Sequence, residues 1–373
     1  MRRYLIVVMT GLLFLTGCWD EKQFKNVKLV LSLGFDQGDE GQIIQTVSIP
    51  TVNRATEGPG SESLQILSTS AQTPLQARNK IDLMISESYD PSKVKVVVLG
   101  EDLAKKNIYP ILDDMYRNSR SNLNAYLAVV EEGTAQDVIS MNHAGATRIS
   151  NYVSGLLEAA VSSTHATGEN LQLLCAELLE PGIDFSVPML KIEDEGNLLT
   201  FSGMGLFHDK AYTGEKIDAE QTTLFMLLEG VKGRVARLTE KIDDNKKEEI
   251  LDYVTVNVAE NDRKMKIENK DGEISVTINL DMKVKIVEYP SDHLYVKGRV
   301  EEIGKKLSET LTEDSVDIIA QLQEANSDIF GIGRRVKAYH PDVWKKIKWE
   351  EEYPEISIKP SVKVEVIQHG IIN

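Results

Sequence analysis

Only two cysteines, six histidines and three tryptophans occur in 373 residues, and each scarcity closes a class of explanation. Two cysteines cannot build a disulfide framework, so the fold must rest on its own apolar cores. The histidines, at 143, 165, 208, 293, 340 and 369, are scattered. None has a His or Cys partner at metal-ligand spacing, so no zinc motif is written in the chain. Basic charge is also short: 42 Lys and Arg face 58 Asp and Glu, a formal net charge of −16. No basic stripe is available to displace counterions from phosphates, which argues against nucleic acid as a partner. Apolar residues at 42% and charged residues at 27% are ordinary globular usage, neither disordered nor multi-span membrane.

Catalytic motifs are missing too. Gly331-Ile332-Gly333 opens like a dinucleotide loop, but position 336 is Val336 rather than the third glycine. There is no Gly-x-Ser-x-Gly elbow and no Walker loop, and the Ser92 to Lys95 match sits at a strand entrance. Asp113-Asp114 and Glu350-Glu351-Glu352 are sequence neighbours that diverge on a helix or strand and read as solvated faces. The sequence therefore reads as non-enzymatic and calls for no cofactor and no metal.

What is present begins at the N-terminus. Arg2 and Arg3 precede Tyr4 to Leu15, an apolar stretch too short for the ~20 residues of a membrane-crossing helix but right for a secretory signal. It ends in Leu15-Thr16-Gly17-Cys18, which resembles a bacterial lipobox. On this reading residues 1–17 are a removed signal peptide, Cys18 is lipidated (diacylglyceryl and palmitate-type chains), and 18–26 is a tether. The bland alternative is an ordinary signal peptide with a coincidental cysteine. Loss of Arg2 and Arg3 leaves 40 basic against 58 acidic residues, a net −18. Anionic lipid would repel such a body, so a covalent anchor has to hold it at a membrane.

The length predicts two or three compact units, and the pattern predicts an α+β class: an N-terminal α/β domain over 27–145, a middle domain over 146–212 and a C-terminal α+β domain over 213–373. Val27 to Phe35 and Ile43 to Ile49 form a hairpin. Thr51 to Gln72, rich in Ser and Thr, reads as a polar mobile loop. Thr73-Pro74 starts a helix running to about Ser86, and Val94 to Leu99, Tyr109 to Arg117, Ala125 to Val130 and a Thr134-capped helix follow. Leu171, Leu174, Cys175 and Leu178 share a helix face, which predicts a buried core cysteine. Phe185 to Ile192 and Leu198 to Phe207 make another hairpin. Ile274 through Ile286 alternates without a break, the mark of a long strand with one wet face. With Val254, Val256, Val258, Met265, Ile267 and Val362, Val364, Val366 it predicts an antiparallel sheet. The amphipathic run Val300, Ile303, Leu307, Leu311, Ile318, Ile319 and Leu322 covers it, with Glu301–Lys305 and Glu302–Lys306 outside.

Several ordered segments then resemble one family: Gly17-Cys18-Trp19-Asp20, Leu33-Gly34-Phe35-Asp36, Leu99-Gly100-Glu101-Asp102-Leu103-Ala104-Lys105, Pro110-Ile111-Leu112, Gly203-Met204-Gly205-Leu206-Phe207 with Asp209-Lys210, Asp328-Ile329-Phe330-Gly331-Ile332-Gly333, and Pro341-Asp342-Val343-Trp344. The set is similar to the Ger(x)C spore germination lipoproteins, the C subunits of GerA-type nutrient germinant receptors; Glu21 to Phe24 departs from the expected continuation. The resemblance implies three mixed domains and a role without known catalysis. It further implies lipid anchoring on the extracytoplasmic face of the spore inner membrane, and assembly with a polytopic A subunit and a transporter-like B subunit. The alternative is a solute-binding lipoprotein of a transporter, which would show two parallel-sheet lobes.

Asp328 to Trp344 admits two readings. In one, Phe330 and Trp344 are core anchors and Gly331 and Gly333 permit a special turn. In the other, the glycines present Phe330, Arg334 and Arg335 to a partner, two cations on an acidic body.

Overall fold

The computed structural model describes residues 26–53, 61–141, 148–193, 198–244, 248–270 and 272–370. Cys18 and the signal segment lie outside the described residues.

The first half runs β1 (Val27–Leu29), β2 (Ser32–Gln37), β3 (Ile43–Asn53), β4 (Ser61–Ala71), α1 (Pro74–Asp82), β5 (Ser88–Asp90), β6 (Val96–Gly100), α2 (Glu101–Ala104), α3 (Tyr109–Arg117), β7 (Tyr126–Glu131), α4 (Ala135–Ser140), α5 (Ile149–Ser162), α6 (Leu171–Leu179), β8 (Ser186–Glu193), β9 (Leu198–His208) and β10 (Ala211–Asp218). β1 and β5 form a small parallel ladder, and the others make one eight-stranded sheet in the order β10-β9-β8-β7-β6-β2-β3-β4. Its middle strands β2, β6, β7 and β8 are parallel. Such strands are covered on both faces and read as unbroken apolar runs. Val96 to Leu99 are accordingly all shut off from solvent. Val97, Leu99, Leu127 and Val129 pack with Ile81, Leu112 and Leu174, from α1, α3 and α6. Val96, Val98, Ala128 and Val130 face the other way, onto Val138, Val153 and Leu157 from α4 and α5.

Both Thr caps form: Thr73 accepts from the Gln76 N–H and Thr134 from the Asp137 N–H. The expected boundary near residue 145 falls inside the sheet, since α5 and α6 serve as the crossover between β7 and β8, paired at Val129 and Met189. Residues 51–72 are a correction. Residues 51–53 complete β3 and residues 61–71 form β4, paired from Ile43↔Ala71 to Asn53↔Ser61, while 54–60 lie outside the described residues. Ser and Thr hid the strand by taking positions where they pair across it, as Thr46 and Ser68 do at 2.8 Å. α1 ends at Asp82, short of Ser86, because the turn beyond it brings the Tyr89 N–H to donate to Asp82 Oδ1 at 2.7 Å.

The second half runs α7 (Thr222–Glu229), β11 (Arg237–Lys241), β12 (Tyr253–Lys270), β13 (Glu273–Glu288), α8 (Arg299–Glu324), α9 (Ile332–Tyr339), α10 (Pro341–Trp344), α11 (Trp349–Glu352) and β14 (Ser357–Gln368). All seven apolar residues of the alternating run in β13 are buried, and so are Val254, Val256 and Val258. Ile303, Leu307, Leu311, Ile318, Ile319 and Leu322 of α8 close over them. Outside, Lys306 pairs with Glu302 at 3.5 Å, while Lys305 lies 3.6 Å from Glu309 rather than pairing with Glu301. The sheet order is β11-β12-β13-β14, and only its first three strands are antiparallel. β14 joins parallel to β13, with Leu280 beside Val362. A helical crossover carries the chain back before β14 begins, and such a connection delivers a parallel strand. α8 also guards the outer edge of β14. The Val364 N–H donates to Ser308 Oγ at 2.9 Å and the Val362 N–H to Thr312 Oγ1 at 3.0 Å, which removes a ready template for unwanted pairing.

Candidate functional site

The two sheets meet at the end of α8. Asn326 turns the chain with φ 50°, and Ser327 and Asp328 then enter the interior, both buried. The Ser327 hydroxyl donates to the Phe207 carbonyl, and Tyr353 Oη donates to the Ser327 carbonyl at 3.1 Å. Asp328 is a three-way acceptor. Its Oδ1 takes the Ile332 N–H at 2.9 Å; its Oδ2 takes the Gly333 N–H at 2.7 Å and the Trp349 indole N–H at 3.0 Å. The carboxylate thus satisfies the orphan donors at the start of α9.

From the other side, the Asp328 N–H donates to Asp184 Oδ2 at 2.9 Å and the Asp184 N–H donates to the Asp328 carbonyl at 3.0 Å. His208 Nδ1 lies 3.3 Å from Asp184 Oδ2, and the Arg334 N–H donates to the Gly182 carbonyl at 2.6 Å. Two glycines make this approach possible. Gly182, at φ +84°, lies so close that a Cβ would sit 2.7 Å from the Gly333 carbonyl carbon, and a Cβ on Gly333 would run into the Trp349 indole. Burial pushes Asp328 up to about 8, with Asp184 adding to the shift and its donors opposing it. Asp184 as hydrogen-bond acceptor raises His208. A cleft of about 400 Å³ opens beside the joint, walled by Asp184, His208, Lys210, Trp344, Trp349 and Glu350.

A second charged cluster lies nearby. Burial raises Glu169 and Glu177, the latter to about 8, and the Glu169 charge adds to the Glu177 shift. Burial together with Glu169 and Glu177 pushes Glu229 well up, and its Oε2 is closed off from solvent. Arg334 and Arg263 oppose these shifts from α9 and β12. Among the described residues no group of three His, Cys, Asp or Glu side chains could hold a metal ion. The Asp184–His208 pair acquires no hydroxyl or thiol partner among them either, so the geometry is that of a joint.

Of the residues the sequence singled out, Phe330 is buried, at 6% exposure, with its ring 6.2 Å from Phe225 and under the Arg263 guanidinium at 5.7 Å. That is the core reading, and Phe330 is withdrawn from any partner surface. Arg334 and Arg335 are exposed. Cys175 is half-buried, not a core residue; the buried face of α6 is Leu171, Leu174 and Leu178, and Cys175 sits at its margin. Asp184 and His208 were missed. No local pattern marks a contact that joins residues 144 positions apart. Two other family-like segments also meet at a joint. Asp36 accepts the Ala135 and Gln136 N–H groups at 2.6 and 2.9 Å, capping α4, and Gly100 leaves room for its carboxylate.

Comparison with known proteins agrees along the whole length. Residues 20–192 match the family described as spore germination protein N-terminal domain, and residues 202–370 match spore germination B3/GerAC like, C-terminal. The chain is 22% identical to spore germination protein GerQC of Bacillus cereus over 100% of its own length and 99% of that protein. It is 23% identical to spore germination protein A3 of Bacillus subtilis (strain 168), over 91% of this chain and 90% of that one. The crystal structure of the GerBC protein shares the fold, with a TM-score of 0.55 over 90% of this chain and 96% of that chain at 17% identity. With both halves matched in order, the chain belongs to the GerAC family of spore germination proteins, the C-subunit type of germinant receptor component.

Proposed function

We propose that this chain is a non-enzymatic, lipid-anchored subunit of a nutrient germinant receptor, held through Cys18 on the extracytoplasmic face of the spore inner membrane. There it assembles with a polytopic A subunit and a transporter-like B subunit, and it contributes to the signal that starts germination. The observation that carries this reading is the match of both halves of the chain to germination-protein families, in order, downstream of Leu15-Thr16-Gly17-Cys18. Among the described residues no helix is long and apolar enough to cross a membrane, so a covalent anchor at Cys18 supplies the attachment that the reading needs. Arg334 and Arg335, exposed on α9, remain the proposed partner contact, without Phe330. A solute-binding lipoprotein would carry two parallel-sheet lobes, and the antiparallel strands β11 to β13 do not fit that alternative.

The test is Cys18→Ala in sporulating cells. The variant should leave the spore membrane fraction and abolish nutrient-triggered germination. Full membrane partitioning with normal germination would sink the anchor, and absence of A and B subunits from the native chain's co-purified complex would sink the receptor assignment.

A further inference from the structure

α1 buries Ala77 and Ile81, yet the chain leaves it with Leu83 89% exposed and Met84 49% exposed. Ile85 then turns back onto the core, so the pair stands on a turn pinned at both ends. Single exposed apolar residues need no explanation, but two adjacent ones at a tip make a patch.

The direction of that patch follows from β1 and β5. They pair in parallel, Val27 beside Ser88 and Leu29 beside Asp90. Parallel strands enter their ladder from one end, so the chain enters β1 at Val27 and β5 at Ser88 from that same end, β5 directly after Leu83 to Glu87. Lys28 Nζ, 3.4 Å from Glu87 Oε2, ties the two together. Eight residues separate Cys18 from Val27, a reach of at most roughly 30 Å. Charge at this end is balanced, with Lys28, Arg78 and Lys80 against Asp82, Glu87 and Asp114, the last 4.0 Å from Arg78, on a chain whose net charge is −16. An anionic bilayer repels the body as a whole more than it repels this end.

We propose that Leu83 and Met84 are a second membrane contact, seated in the headgroup boundary of the bilayer that holds Cys18, and that together with the anchor they fix the body's orientation. One point of attachment lets a body swivel; two points set which surface faces the membrane and which sides remain open to partner subunits. The proposal rests on the lipid-anchor reading of Cys18.

The test uses the full chain, purified from membranes and reconstituted into vesicles containing phosphatidylglycerol and brominated lipid. Leu83→Trp adds an indole at an exposed position where folding is not at stake. Its added emission should fall about twofold in brominated relative to plain vesicles, as for a ring about 5–10 Å into the boundary. Val316→Trp, placed on the exposed side of α8 where Val316 is 50% exposed, should lose none. Mass spectrometry of the Cys18 peptide from the same sample reports the anchor separately. If that peptide carries no acyl group, the anchor reading falls, and an N-terminal hexahistidine tag on nickel-chelating lipid supplies the tether for the same measurement. Unquenched Leu83→Trp emission on tethered protein overturns the second contact, including the case where Leu83→Asp still impairs germination, which would assign the patch to a protein partner.

Discussion

Phe330 shows at the scale of one residue why the Asp328 to Gly333 segment is written as it is. Its ring fills a site bounded by Phe225 and the Arg263 guanidinium, while Asp328 ties down the two amides that follow Gly331. Phe330→Ala should cost about 3 to 5 kcal/mol, from lost burial and an unfilled cavity. Chemical denaturation of the chain from residue 19 on measures this, and an unchanged midpoint would return Phe330 to the surface. Both readings of this segment were open in the sequence, since an aromatic flanked by glycines suits a core turn and an exposed loop equally. The neighbours that decide between them come from residues 225 and 263, which local pattern does not reveal. Asp328 was legible as part of a motif but not as an acceptor for a tryptophan 21 residues on.

At the scale of elements, legibility followed periodicity. β13 could be read from Ile274 to Ile286, all but its last two and its first residue, because one face is dry and the other wet, so hydropathy alternates with the pleat. β4 could not, because five of its eleven residues are Ser or Thr, residues shared by strands and loops, and they break the alternation. The direction of β14 was equally hidden: alternation marks a strand but not its partner or polarity. α8 adds something that hydrophobic pattern does not carry, namely the hydroxyls of Ser308 and Thr312 on the edge amides of β14. Ser308→Ala with Thr312→Val should strand two N–H groups at about 1 to 3 kcal/mol each. It should also open that edge to pairing with other strands. A lower melting temperature with rising light scattering is expected; a double variant that melts normally and stays monomeric would show that solvent satisfies those amides.

For the whole molecule, the joint between the two sheets carries a pH dependence with a definite sign. Glu177 holds its proton in the folded protein to about 8, whereas an unfolded chain releases it near 4.5. Between those values the folded state binds more protons, so this group's contribution to stability is greatest at the acid end and declines as pH rises. Glu169 and Glu229 are shifted the same way. Glu177→Gln, which imitates the protonated acid, should flatten the fall in melting temperature between about pH 5 and about pH 8.5 and raise it at the upper end. An identical slope in variant and parent would remove Glu177 from the account. The eight-stranded sheet bears on a different matter, the exchange of parts between relatives. Its strands β8 and β9 lie on opposite sides of the seam between the two matched family regions, at residues 192 and 202, yet they are hydrogen-bonded neighbours from Ser186↔Leu206 to Glu193↔Leu198. A chimera spliced at that seam would ask strands of two different ancestries to share one ladder, so recombinants should survive more often when the crossover falls after β10, where a whole sheet is inherited intact.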